Sequence, residues 1–273
     1  VKLTHRLSLP TAEIAYADTA ADAPAVVLTH GAGMDHSMFD VQAAALAERG
    51  FRVILWDLRG HGESTLAQGV RFTAVDALDD LDTLLIECGI DAPVLIGHSL
   101  GGNLSQVFAH QHPRRLRGVV VMDAAWNSGP LTAAERLGLR LAAPSLALIP
   151  SAALARLMAR ASAVTPEAVE RTRQLFARMP KARFLDVWKA TVSLISPQPD
   201  LRMPGLLALI RGAEDRTGSI ATSMARWAAA EGIADHVIPR AGHIVTWDAP
   251  TEASRTLLQI LDEWTPADER TRS

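Results

Sequence analysis

Pro93-Val94-Leu95-Ile96-Gly97-His98-Ser99-Leu100-Gly101-Gly102 passes from a short apolar run into a helix-length segment across one serine set between glycines. The run Pro93 to Ile96 reads as a strand buried on both faces. Leu100 opens a helix that reaches His112 and stops at Pro113. A serine at so sharp a strand-to-helix turn has to adopt a strained backbone conformation that lifts its hydroxyl clear of the sheet. Gly97 and Gly101 are needed because a side chain at either would collide with the neighbouring strand and helix. The G-x-S-x-G spacing alone is common; the strand before it and the helix after it make it a nucleophile elbow.

Outward from the elbow, mostly apolar runs at residues 25–29, 51–56, 116–122, 206–210 and 235–238 alternate with helical segments at 37–49, 73–88 and 220–231, which end at Gly50, Gly89 and Gly232. Leu78, Leu81, Leu84, Leu85 and Cys88 share one helical face. Alternating strand and helix predicts a doubly wound α/β fold with a parallel sheet, and residues 2–9 and 12–18 predict an antiparallel pair at its edge. The alternation breaks between about Trp126 and Ser196, where only helices are expected. One starts at Thr165-Pro166-Glu167, a cap, a first-turn proline and an acid for the positive dipole end. The reading is therefore a core of residues 1–126 and 197–273 with a helical insertion at 127–196. The tail after Trp264 reads as frayed.

The chain has 273 residues, 48% hydrophobic and 21% charged, the balance of one large globular domain. A net charge of -3 gives no global electrostatic case for nucleic acid or an anionic membrane. The charge is uneven: residues 127–196 hold ten Lys/Arg and four Asp/Glu, a net of +6, leaving -9 for the remainder. Either the arginines of the insertion are simply solvated or some attract an anionic substrate. Cys88 is the single cysteine, so no intrachain disulfide and no structural zinc site are expected. The first residues lack a signal-peptide core, and Leu141 to Ala155, broken by Pro144 and Pro150, is too short to span a bilayer. A cytoplasmic protein is expected.

A serine nucleophile needs a general base in reach. In sheets of this kind the chain order is serine, acid, histidine, which leaves His110, His112, His236 and His243. His110 and His112 end the elbow helix, and His236 lies inside a strand. His243 follows the carboxyl end of residues 235–238, the edge where open α/β sheets bind ligands. Two acids follow strand ends, Asp123 and Asp215; Asp215, on the strand preceding the His243 loop, is preferred and Asp123 is the alternative. For an oxyanion, Leu100 offers one backbone amide and Ala32, in His30-Gly31-Ala32-Gly33-Met34, the other. His30 reads as structural, and Asp35 and His36 as helix-start residues or pocket lining. Trp126, Trp188 and Trp247 are candidates for core or pocket wall. Leu141 to Leu157 could meet a hydrophobic substrate or pack on the core. Gly60-His61-Gly62 lacks the lysine and glycine spacing of a phosphate loop and is a turn.

Together, the Ala32 loop, Asp57-Leu58-Arg59-Gly60-His61-Gly62-Glu63-Ser64, the Gly97 to Gly102 elbow, Gly212 to Asp215 and Gly242-His243 resemble the α/β-hydrolase superfamily. The resemblance covers nearly the whole chain. It implies an eight-stranded, mostly parallel sheet with a helical cap inserted after the sixth strand, where this chain has residues 127–196. It does not extend to the chemistry of the epoxide hydrolase and haloalkane dehalogenase branches, which need a carboxylate where this chain has Ser99. The expected activity is cofactor- and metal-independent hydrolysis of carboxylic esters by Ser99, His243 and Asp215. Lactones or carbon–carbon bonds are alternative targets of the same residues, and a slow-turnover ligand receptor is the rival of another class.

Overall fold

The computed structural model describes residues 1–265, so all but Thr265 of the tail expected to be frayed lies outside the described residues. The sheet runs in the order β1-β2-β4-β3-β6-β7-β8-β9. These are β1 (His5–Ser8), β2 (Ala12–Asp18), β3 (Ala25–Thr29), β4 (Arg52–Trp56), β6 (Val94–His98), β7 (Gly118–Met122), β8 (Leu206–Gly212) and β9 (Asp235–Ile238). The ninth strand, the two-residue β5 (Thr65–Leu66), hangs on β2 and has no sequence signal of its own. Every pairing from β4 across to β9 is parallel, while β1 and β2 form the expected antiparallel edge.

Helices cover both faces because the strands alternate between two cores. Val26 and Leu28 point to one, with Ala43 and Leu46 of α1 (Asp40–Glu48) and Leu257 and Leu261 of α10 (Pro250–Trp264). Val27 points to the other, with Leu81 and Leu84 of α2 (Ala74–Glu87) and Leu104 and Phe108 of α3 (Leu100–Gln111). A one-residue slip would exchange the two sets, so burial on both faces fixes the register. On the second face α8 (Ile220–Glu231) buries Trp227, whose ring stacks on Trp126 at 6.1 Å between centroids. Cys88, half-buried at the end of α2, packs beside the second core.

Between β7 and β8 the chain forms helices only, as the loss of alternation predicts: α4 (Ala133–Leu148), α5 (Ser151–Ser162), α6 (Pro166–Arg178) and α7 (Lys181–Ser193). Thr165 caps α6 as expected, accepting from the Ala168 amide, and Thr132 and Glu135 form a reciprocal capping box on α4. Leu154, Phe176 and Phe184 are buried and continue the first core upward. No residue of α4 is buried. The four-residue helix α9 (Val245–Asp248) precedes α10.

The chain moves from β3 to β4 on one side and later returns to β6 on the other, so β3 and β6 flank a topological switch point. Their carboxyl ends lie level, with Thr29 opposite Gly97. The loop after β3 and the elbow after β6 are thereby set side by side.

Candidate active site

Ser99 sits at φ 49°, ψ -114°, a conformation L residues rarely adopt, and its amide is held by the Met122 carbonyl at 2.9 Å. The glycines work as the sequence predicts. A Cβ on Gly97 would lie 2.3 Å from the Gly101 carbonyl, and one on Gly101 would lie 2.1 Å from the Thr29 oxygen. The close approach of α3 to β3 and β6 is what turns the serine outward. A Cβ on Gly31 would come within 3.2 Å of the Ser99 Cβ, so the loop after β3 passes directly over the elbow. Among the described residues neither the Ala32 nor the Leu100 amide has an acceptor, which leaves both free beside Ser99.

His243 and Asp215 are 5% and 7% exposed, and Nδ1 of the imidazole donates to Asp215 Oδ2 at 3.0 Å. That bond fixes the tautomer, leaving Nε2 as the basic nitrogen. Burial alone would raise the Asp215 carboxyl, but the charge and hydrogen bond of His243 and the Thr217 amide, at 2.8 Å, hold it below its ordinary value. The His243 loop reaches Asp215 because β8 ends in Gly212, where a Cβ would meet the Gly242 oxygen at 2.1 Å.

Asp123 stands beside the pair without contacting the imidazole by hydrogen bond. Its Oδ1 accepts the Gly212 amide at 2.8 Å, and its Oδ2 is buried with no donor facing it. Burial, and then the Asp215 charge, push its carboxyl well above the ordinary value. A proton on Oδ2 turns an unsatisfied acceptor into a donor toward Asp215, so Asp123 is the neutral member of the two. Asp123, Asp215 and His243 do bring an oxygen or nitrogen each within 4.8 Å of one another, a donor set of the kind metals use. Here Nδ1 is spent on Asp215 Oδ2, and the Oδ1 atoms of Asp123 and Asp215 accept the Gly212 and Thr217 amides.

Two positioning groups escaped the sequence reading. His98, the residue before the serine, donates from Nε2 to the His243 carbonyl at 2.7 Å, and burial followed by the nearby His243 lowers its pKa to about 3, so it is a neutral strut. The signal was inside the elbow motif itself. Asp248 had no local signal. Its carboxylate accepts from the amides of Val164, Thr165 and Gly242 at 3.0, 2.8 and 2.9 Å, tying the start of α6 to the residue before His243. The Ile244 amide adds a bond to the Ser162 carbonyl at 2.9 Å.

Ser99, His243 and Ala32 open onto one cavity of about 160 Å³, whose far wall is Leu139, Met158, Phe176, Phe184 and Trp188 from α4 to α7. Trp126 also lines it; Trp247 does not, and lies instead under the Arg171 guanidinium at 4.2 Å. A second cavity, of about 390 Å³, shares only Met34 with the first and contains neither Ser99 nor His243. Asp35 and His36 line that one. Asp35 caps the turn at His36–Phe39, and His36 donates through its amide and ring to Asp57 at 2.6 and 3.0 Å. Asp57 also accepts from the Glu63 amide at 2.7 Å, and buried Arg59 grips Asp80 with two bonds of 2.6 and 2.5 Å. His30 accepts the Leu58 amide at 3.0 Å. The Asp57–Ser64 stretch is thus a structural knot.

Residues 24–250 match the model of the alpha/beta hydrolase fold family. The chain belongs to the α/β-hydrolase fold family. Among α/β-hydrolase relatives, it is 36% identical over 107 residues to the sn-1-specific diacylglycerol lipase ABHD11 of Mus musculus, which is 39% of this chain and 34% of that one. It is 36% identical over 101 residues to bifunctional epoxide hydrolase 2 of Sus scrofa, 37% of this chain and 18% of that one. The matched stretches span well under half the length of these curated relatives. Over nearly the whole α/β-hydrolase fold it superposes on a thermophilic esterase from Thermogutta terrifontis, with a TM-score of 0.79, 25% identity, and coverage of 96% of this chain and 99% of that one.

Proposed function

We propose that this α/β-hydrolase is a serine hydrolase of carboxylic esters, with Ser99 as nucleophile, His243 as base and Asp215 as the acid that orients it. One observation carries the reading: a strained elbow serine opens onto the same apolar-walled cavity as a histidine whose Nδ1 is held by a buried carboxylate. Nothing in the packing of the sheet requires those three side chains to converge. Nε2 of His243 takes the Ser99 proton as Oγ attacks the ester carbonyl. The amides of Ala32 and Leu100 receive the oxyanion of the tetrahedral intermediate. The intermediate collapses, the imidazolium protonates the departing alcohol, and the acyl group remains on Ser99. Water then gives its proton to His243 and attacks the acyl-enzyme, which releases the acid and restores the serine. In this reading residues 127–196 are a cap that closes the cavity, and the apolar wall favours an ester with a hydrophobic portion.

The test is hydrolysis of p-nitrophenyl esters of increasing acyl length, with simple lactones alongside. Turnover is expected, with a loss on the order of 10⁶ in rate for Ser99→Ala. Retained turnover in Ser99→Ala refutes the nucleophile assignment, and failure of every ester with turnover of lactones moves the substrate class.

A further inference from the structure

We propose that the exposed leucine stripe of α4, with the leucine and arginines exposed on α5 after it, docks on an anionic phospholipid surface, placing the wall of the Ser99 cavity against the source of a lipophilic substrate. The docking surface stands on its own observations; only its link to substrate supply rests on the ester-hydrolase reading. Leu141 to Leu157 was expected to meet substrate or pack on the core, and much of it does neither. Leu137, Leu141 and Leu148 are 57%, 52% and 86% exposed, and Leu157 on α5 is 48% exposed. Residues 137, 141 and 148, with exposed Pro144, recur at helical spacing and make a single stripe. Scattered exposed leucines need no explanation, but a continuous stripe of them marks a contact surface.

The stripe is flanked by Arg136 and Arg140 on α4, and Leu157 by Arg156 and Arg160 on α5, all exposed. None of the four guanidinium groups has a carboxylate or other partner among the described residues. Glu135, the one acid between residues 127 and 166, is already spent on the Thr132 amide and on Arg226. Leucines flanked by arginines, on helices lying flat on a protein, are the pattern of an amphipathic surface that rests in a headgroup layer. No helix among the described residues is long and apolar enough to cross a membrane, so the contact is lateral. The net charge of -3 averages over this asymmetry and conceals it.

Charge complementarity selects the occupant. A second copy of the chain paired symmetrically through this face would bring like charge against it, with no free carboxylate on the face to compensate. An anionic bilayer accepts both parts, headgroups to the arginines and acyl chains to the leucines. The other side of α4 fits the same purpose: Leu139 lines the Ser99 cavity, and Leu146 and Ile149 pack toward the core. One helix therefore separates the proposed bilayer from the serine.

Binding is read by co-sedimentation of the full chain carrying Ser99→Ala, which removes turnover, with vesicles of phosphatidylcholine alone or mixed with phosphatidylglycerol. Partition to the mixed vesicles is expected, weakened by salt and by about fivefold for each arginine removed in Arg140→Gln and Arg156→Gln. Leu141→Ser with Leu148→Ser should release the protein in the same way. In the background that retains Ser99, hydrolysis of a short, water-soluble ester and the melting temperature should not change in either pair of variants. Equal partition of the variants, or none by the parent, overturns the proposal. So does a concentration-dependent dimer, seen by sedimentation velocity, that the leucine substitutions abolish. Vesicle binding with no esterase activity would sink the ester reading and leave the surface standing.

Discussion

Asp123→Asn separates the two candidate acids, because they differ in charge state. The native chain keeps Asp123 protonated beside ionised Asp215, through burial and the neighbouring charge. In the unfolded chain its carboxyl titrates near pH 3.9. A raised folded pKa means that the native state binds the extra proton, so the stability this group contributes is complete below about pH 3.9 and declines as pH rises toward the folded value. The decline is about 1.4 kcal/mol for each pH unit in that window. Asparagine has no proton to lose, accepts the Gly212 amide through Oδ1 and donates to Asp215 through its amide. Urea unfolding of the two proteins should therefore give similar stabilities near pH 4, with the variant gaining steadily on the parent as the pH rises above that. Its kcat should stay within about threefold of the parent, whereas Asp215→Asn, which disturbs the imidazole tautomer, should lose on the order of 10⁴. Parallel stability curves across that range would refute the buried neutral carboxyl. A larger loss of kcat in Asp123→Asn than in Asp215→Asn would make Asp123 the orienting acid.

Asp248→Ala releases three amides that join α6 to the His243 loop, so kcat should fall by about 10- to 100-fold with little change in KM, read on a soluble ester. Asp80→Ala leaves the Arg59 guanidinium, 3% exposed, facing Asp76 at 3.2 Å but without its two short bonds, and should cost on the order of 3 kcal/mol in denaturant unfolding. Gly101→Ala puts a methyl 2.1 Å from the Thr29 oxygen and should abolish the cooperative melt or drop its midpoint by about 4 °C or more, on the order of 2 kcal/mol or more.

The fold was legible from local pattern. Fully apolar strands such as 94–98 and 118–122, followed by helices ended by glycine or proline, left little choice but a parallel sheet covered on both sides. The two-residue β5 was not legible, since two paired residues carry no periodicity. Of the candidate site, Ser99, His243, Asp215, Ala32 and Leu100 could each be chosen because strand ends mark the functional edge of such a sheet. Roles that depend on a partner far along the chain were not. Asp248 meets residues more than 80 positions away, and His98 reaches the carbonyl of His243 at a separation of 145.

Sequence by itself determined the strand-helix alternation, the helical insertion, the strained elbow and the set of residues at the strand ends, because each follows from backbone sterics or side-chain period within a short window. Tertiary structure alone decided which acid is bonded to His243, which is protonated, and which leucines of 141–157 meet water. Those outcomes depend on desolvation and on contacts across the sheet, and neither is a property of any local stretch of chain.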